Sequence, residues 1–374
     1  MSKKFKQKLL FTPGPLNTSD ITKKSFHIDL GSRDKDFIRI NKSLFLDILK
    51  LGYVNNKSHI CIPIQGSGTF CLEATLATLL KKKSKVLILT NGLYGKRLIT
   101  ICKKIKKNYL VLSFNETESI SIKKIEKILI NNKSISHISV VHCETSSGML
   151  NPLNEISLLS KKYKKKLIVD AMSSFGGIDI NIKKNNIDAL VSSANKCLEG
   201  IPGFSFAIIK KMSLSQSKGN ANSLSLDLFD QWKGFLKNNQ WRFTPPTHSI
   251  IGLSSALEQL KKEGGIKKRN KRYKKNYLTL VNGMKNIGFQ FFLDKNLHSP
   301  IIVCFKIPKN PKFNFNFFYE NLSNSGFVIY PGSITNKKTF RIGCIGNINS
   351  RHVFSLLNAI KKTIIKMRIK HLSI

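Results

Sequence analysis

Between residues 59 and 210 short runs of Val, Ile and Leu alternate with stretches of helical periodicity, and this alternation constrains the fold more than any other feature. The apolar runs are HICIPIQ from His59, KVLILTNG from Lys85, YLVLSFN from Tyr109, HISVVHCE from His137, KLIVDA from Lys166, DALVSSA from Asp188 and FSFAIIK from Phe204. Between them lie a helical stretch carrying Leu72, Leu76, Leu79 and Leu80, another through YGKRLITICKKI, a third over residues 119–132, and EISLLSKKYKK. A strand with one wet face alternates polar and apolar residues, whereas a continuous apolar run needs both faces covered. The pattern predicts an α/β fold, with a mostly parallel sheet between helices. In such a sheet ligands bind at the carboxyl edge, where strands lead into helices.

After about residue 260 the texture changes. KKEGG ends one helix, and Tyr273, Tyr277, Leu280, Met284 and Ile287 then recur at helical spacing. SPIIVCFKI and GFVIYPG flank a Phe-rich segment, and Val353, Leu357, Ile360, Ile364 and Met367 form the stripe of a closing helix. A chain of 374 residues exceeds one simple core. The expected division is an N-terminal arm over residues 1–25, a large domain over 26–262 and a smaller α+β domain over 263–374.

Lys and Arg number 63 against 21 Asp and Glu, a formal net charge of +42. Such a field attracts polyanions and anionic small molecules alike. The densest run, KKRNKRYKK over residues 267–275, falls on the Tyr/Leu/Met helix and is expected to be its wet face. No zinc finger, RNA-binding signature or aromatic-interleaved motif accompanies it, so no specific nucleic-acid partner is expected. No apolar stretch is long enough to span a bilayer, and the lysine-rich start lacks a signal-peptide core before its prolines. The expectation is a soluble cytoplasmic protein without a membrane partner. Seven scattered cysteines with no CxxC pair argue for reduced thiols, not for disulfides or a metal site.

Three segments carry chemistry. QGSGTFCLEA sets Gly66, Ser67, Gly68 and Thr69 between a strand and a helix, where free helix amides and hydroxyls suit a phosphate. A tight turn with no ligand would use the same residues. KLIVDAMSSFGG puts Asp170 at the end of a strand buried on both sides, with Ser173 and Ser174 close by. A carboxylate there is costly unless paired, so it reads either as a cap of the next turn or as an acceptor for a cationic ring nitrogen. SSANKCLEGIPGF puts Lys196 after a third strand and before a Gly- and Pro-containing turn. A phosphate cradle, a buried Asp and a Lys, in that order at strand ends, are what pyridoxal 5'-phosphate needs. The lysine bonds its aldehyde, the Asp keeps its ring nitrogen protonated and the cradle holds its phosphate.

With these segments in place the chain resembles the fold-type I pyridoxal-phosphate enzymes, and among them the class-V aminotransferases of the alanine–glyoxylate type. The likeness covers nearly the whole chain and rests on LLFTPGPLNTS, QGSGTFCLEA, NGLYGKR, HCETSSGMLNP, IVDAMSSFGG, SSANKCLEGIPGF, SLSLDLFDQW, WRFTPPTH, NLHSPIIV, GFVIYPG and FRIGCIG. It implies a seven-stranded sheet in the large domain, Lys196 as the attachment point and base, Asp170 as the ring-nitrogen partner, and Ser67, Gly68 and Thr69 on the phosphate. Tyr94 is implied to stack on the ring, a core tyrosine being the alternative, and Thr145 to lie beside it near Glu144 and Ser146. Thr244 is implied to reach the phosphate of the neighbouring subunit, so the active unit is expected to be a homodimer. Arg341 is implied to grip a substrate carboxylate with its planar fork, and the same arginine could hold the phosphonate of the other substrate since both half-reactions share one pocket; a surface ion pair is the alternative. Gly14, Asn17 and Thr18 are further substrate-side candidates and Arg33 a candidate cation, while His142 and His27 receive no role. The resemblance implies amino transfer from 2-aminoethylphosphonate to pyruvate, giving phosphonoacetaldehyde and L-alanine. An alanine or serine aminotransferase working with glyoxylate or pyruvate is the nearest alternative. A polyanion-binding protein on the same fold is the more distant one.

Overall fold

The computed structural model describes residues 6–332 and 338–372, so the first five residues of the expected arm lie outside it. Seven strands form the central sheet: β1 (His59–Gln65), β2 (Lys85–Thr90), β3 (Asn108–Ser113), β4 (Ile135–Val141), β5 (Lys166–Asp170), β6 (Ala189–Ser193) and β7 (Phe204–Lys210). Their order is β1-β7-β6-β5-β4-β2-β3. Only β7 runs against the others, with Phe204 opposite Gln65 on one side and Ser205 opposite Ser193 on the other. Pro63 lies in β1, an edge strand, which is where a sheet tolerates a residue without an N–H.

The continuous apolar runs have a direct cause. Leu87, Leu89, Ile138, Val140, Leu167 and Val169 enter one core, while Val86, Ile88, Val141, Ile168, Ala189 and Val191 enter another. Alternate side chains point to opposite faces, so a strand with two covered faces is apolar along most of its length. Helices α1 (Lys35–Leu51) and α4 (Thr247–Glu263) bury Phe37, Leu44, Ile250 and Leu253 in the first core. Helices α2 (Gly68–Leu79) and α3 (Leu93–Lys104) bury Leu72, Leu76, Leu98 and Ile101 in the second. Each such side chain contributes about 1.5–3 kcal/mol of burial.

A second, smaller layer has its own core. Strands β8 (Ile302–Lys306), β9 (Tyr330–Pro331) and β10 (Thr339–Gly343) form an antiparallel sheet in the order β8-β10-β9. Helices α5 (Gly265–Ile287) and α6 (Ser350–Lys366) pack on it through Leu280, Met284, Val353, Leu357 and Ile360. Phe340 is its hub, with Phe289, Phe305 and Phe318 centred 5.5, 5.4 and 5.5 Å away. The N-terminal arm belongs partly to this layer. Leu9–Leu10 pairs in parallel with Phe327–Val328, Phe11 is fully buried among the small-layer residues, and Gly343 N donates to Phe11 O at 2.8 Å.

The basic run departs from its expected place on a wet face. Lys267, Lys268, Lys271, Lys274 and Lys275 are exposed, but Arg269 is only 2% exposed and Arg272 half-buried. Arg269 and Arg272 both pair with Glu199 and Glu263. A guanidinium is weakly hydrated and offers five donors in a fixed fork, so it enters a buried network where an ammonium stays wet. Among the described residues no helix is long and apolar enough to cross a membrane, and all seven cysteines are free and buried.

Candidate active site

Strands β1, β2, β4, β5 and β6 all end at one edge of the sheet, at Gln65, Thr90, Val141, Asp170 and Ser193. A cavity of about 170 Å³ lies there, and Ser67, Gly68, Thr69, Tyr94, Asp170 and Lys196 all line it. Residues far apart in sequence meet because each follows the carboxyl end of a strand.

Ser67 is the N-cap residue of α2, in extended backbone, and its side chain makes no capping hydrogen bond. The first amides of α2 and the Ser67 hydroxyl therefore remain available to an anion, and the helix dipole favours one. Gly68 lets the Met172 side chain, just after β5, pack directly against the start of α2, where a Cβ would displace the thioether end.

Asp170 is 4% exposed, and its Oδ1 accepts from Met172 N at 2.9 Å. Burial pushes its carboxyl up to about 6, aided by the nearby Glu144 charge and opposed by the Met172 hydrogen bond, Arg97 and Lys196. Lys196 has the opposite problem. Its enclosure brings the ammonium down to about 8, with Asp170 opposing and Arg341 and Arg97 assisting. The amine donates to Pro13 O and Gly14 O, both at 3.1 Å, so the N-terminal arm closes over it. Gly14 has φ +111°, and a Cβ there would lie 2.5 Å from Lys196 Cδ. Only glycine meets both conditions.

Helix α3 begins at Gly92, which has no side chain with which to cap it. Glu144, fully buried, supplies the cap from another strand by accepting from Tyr94 N at 3.1 Å and Gly95 N at 3.1 Å. Ser146 Oγ donates to the same carboxylate at 2.5 Å. Burial pushes the Glu144 carboxyl up, against these hydrogen bonds. Tyr94 and Arg97, one helical turn apart on α3, both line the cavity. Sequence reasoning missed Arg97, although its spacing of three from Tyr94 in NGLYGKR would have put the two on one helix face.

Arg341, on β10, is 6% exposed. Its Nη1 donates to Thr145 O at 2.9 Å, and Nε and Nη2 each lie 3.3 Å from Pro331 O, so it ties the small layer to the cavity wall. Thr145 and Ser173 line the cavity. Ser174 instead bonds His142 Nδ1 at 3.0 Å, and burial brings that imidazole down to about 4, as in a polar core residue.

Five expected residues are not among those lining the cavity: Gly14 and Arg341 adjoin it through Lys196 and Thr145, while Asn17, Thr18 and Thr244 lie away from it. The Asn17 side chain is engaged within the arm, accepting from Leu10 N at 2.6 Å and donating to Lys8 O at 3.2 Å. Thr18 is half-buried and away from the lining. Thr244 is exposed, on a second cavity lined by Gly66, Phe70, Trp241 and Phe243. Arg33 and His27 are exposed and likewise off the lining.

Known proteins resemble this chain over most of its length. The Aminotransferase class-V family matches residues 54–332. The 2-aminoethylphosphonate–pyruvate transaminase of Pseudomonas fluorescens is 43% identical over 361 residues, covering 96% of this chain and 98% of its own. Its namesake from Pseudomonas aeruginosa is 42% identical, with 96% and 97% covered. Among solved structures, the ureidoglycine–glyoxylate aminotransferase of Bacillus subtilis superposes with a TM-score of 0.89 at 21% identity, covering 99% of this chain and 96% of that one. The pyridoxamine–pyruvate aminotransferase of Mesorhizobium loti gives 0.89 at 23% identity, with 98% and 95% covered. At those identities the likeness establishes the fold alone.

Proposed function

The chain belongs to the class-V aminotransferase family, and from that premise we propose that it transfers the amino group of 2-aminoethylphosphonate to pyruvate, releasing phosphonoacetaldehyde and L-alanine. One observation carries the reading. The Lys196 amine is enclosed with Asp170 and the start of α2 in a single cavity, in a chain 43% identical to a phosphonate transaminase over 96% of its length.

The cofactor is pyridoxal 5'-phosphate, which when bound acts as an electron sink for the substrate's reacting carbon. The residues present fit it. The start of α2, with Ser67, Gly68 and Thr69, receives its phosphate. Asp170, buried with one oxygen on Met172 N, would hold the proton on the ring nitrogen. A cationic partner returns its carboxyl toward the ordinary range, so the cost of burying it alone becomes part of the affinity for that ring. Tyr94, on the cavity wall, would pack against the ring and exclude water. With its ammonium near 8, Lys196 is about one-tenth neutral at pH 7. That neutral amine would be the attachment point for the cofactor's aldehyde and the base positioned to move the proton of the substrate's amine-bearing carbon. Arg341 binds the carboxylate of pyruvate and alanine, exchanging bonds to main-chain carbonyls for charge-assisted ones.

The active unit is a homodimer. Phe70 and Phe243, 51% and 48% exposed beside Thr244, supply apolar surface for a second subunit to cover, and Thr244 then reaches the partner's phosphate site. In this reading residues 1–25 are the arm, 26–262 the cofactor domain and 263–374 the small domain. Gly14 remains the arm's contribution on the substrate side, through its contact with Lys196. The seven free thiols fit the reducing cytoplasm.

The test is product analysis. The cofactor-loaded enzyme is incubated with 2-aminoethylphosphonate and pyruvate, and separately with alanine or serine and glyoxylate. Equimolar alanine and hydrazine-trapped phosphonoacetaldehyde are expected from the first pair. Turnover confined to the second pairs would assign the chain to a different aminotransferase specificity.

A further inference from the structure

Arg97 lines the cavity, yet among the described residues it forms no ion pair. Arg39, Arg242, Arg269 and Arg272 all have carboxylate partners. Arg341 reaches main-chain carbonyls through both sides of its fork. Arg97 donates from Nη1 to Thr69 Oγ1 at 3.2 Å, and its guanidinium carbon lies 4.7 Å from the centre of the Tyr94 ring. These two contacts hold the guanidinium in place while leaving most of its five N–H donors for a ligand.

The direction of those donors matters less than what stands beside them. Thr69 is the second residue of α2, so the guanidinium adjoins a helix N-terminus with an uncapped Ser67. Two positive features on one cavity wall suit a tetrahedral dianion better than a singly charged carboxylate. Arg341, which joins Thr145 O to Pro331 O across the two layers, is the residue to which the proposed function gives the planar carboxylate.

We propose that Arg97 is the phosphoryl-recognition residue of this cavity and that its guanidinium binds a phosphate or phosphonate dianion. The chemistry has two possible sources, the cofactor's phosphate and the substrate's phosphonate, and the second rests on the function proposed above. Arg97→Gln and Arg97→Lys are the variants, and each source has its own readout. For the cofactor, the apoprotein is titrated with pyridoxal 5'-phosphate and with pyridoxal, which lacks the phosphate, following the visible absorbance. For the substrate, the loaded protein is titrated with 2-aminoethylphosphonate and with alanine, following loss of that absorbance.

Arg97→Gln is expected to weaken one phosphorus-bearing ligand about ten- to a hundredfold more than its phosphorus-free counterpart, the scale for a lost charge-assisted bond. A change in the cofactor ratio assigns Arg97 to the phosphate, and a change in the substrate ratio assigns it to the phosphonate. Arg97→Lys, which keeps the charge without the fork, is expected to fall between wild type and Arg97→Gln. The alanine and pyridoxal titrations also report whether a variant is folded. If both ratios stay at their wild-type values, the proposal is overturned. If wild type itself ignores 2-aminoethylphosphonate, the substrate assignment fails while the comparison of pyridoxal 5'-phosphate with pyridoxal still decides the role of Arg97.

Discussion

Burial moves Lys196 and Asp170 toward neutrality from opposite sides, bringing an ammonium down to about 8 and a carboxyl up to about 6. Each is destabilising alone and useful with a cofactor between them. Lys196→Ala is expected to retain pyridoxal 5'-phosphate without a covalent bond and to lose at least about a thousandfold in turnover. Absorbance before and after reduction by borohydride, with steady-state rates, checks both parts. For Asp170, the difference between 3.8 and about 6 corresponds to about 3 kcal/mol. The folded protein binds this proton more tightly than the unfolded chain, so the penalty is absent below about pH 4 and complete above about pH 6. Asp170→Asn is therefore expected to raise the melting temperature of the cofactor-free protein by several degrees at pH 7, to have progressively less effect toward pH 4, and to cut activity severely. An unchanged or lower melting temperature at pH 7 would contradict the account. Both residues were legible because an ionisable side chain at the end of a doubly buried strand is conspicuous. Arg97 was not, since one arginine among 63 basic residues carries no mark until its neighbours are known.

At the scale of elements, α3 depends on a carboxylate from elsewhere in the chain. Glu144 receives the amides of Tyr94 and Gly95, and the helix so anchored carries both Tyr94 and Arg97. Removing it leaves those amides buried and unpaired, at about 1–3 kcal/mol each. Glu144→Ala is expected to lower the melting temperature, speed hydrogen exchange at residues 93–97 and weaken cofactor binding, while Glu144→Gln retains part of each. Exchange at 93–97 unchanged in Glu144→Ala would remove the capping role. The strands and helices themselves were legible in outline because period and apolar continuity are local properties. The remote cap was not, as nothing near Gly92 in sequence points to residue 144. The basic run shows the same limit in reverse, because helical spacing located the lysines on the outside but did not reveal the carboxylates that draw Arg269 and Arg272 inward.

Across the whole molecule, two structures join the small layer to the lysine loop. One is the arm, whose Phe11 is packed in the small core and whose Pro13 and Gly14 carbonyls receive the Lys196 amine. The other is the network at the start of α5. Arg269 Nη1 donates to Cys197 O at 3.0 Å, and Arg272 bonds Glu199 at 2.8 Å, Glu263 at 2.7 Å and Ile348 O at 3.1 Å. Breaking one member of a buried ion cluster strands the others, typically at about 3–5 kcal/mol. Arg272→Met is expected to destabilise the protein by that order, and adding Glu199→Gln to recover part of the loss. Additive effects of the two in chemical denaturation would refute the coupling. The most direct test of the central claim is the visible absorbance of the cofactor-loaded protein as 2-aminoethylphosphonate is added without any keto acid. Loss of the yellow band, its return with pyruvate, and the same loss with alanine are the expected results. Bleaching by alanine or serine but not by 2-aminoethylphosphonate would leave the chemistry of Lys196 standing and contradict the phosphonate assignment.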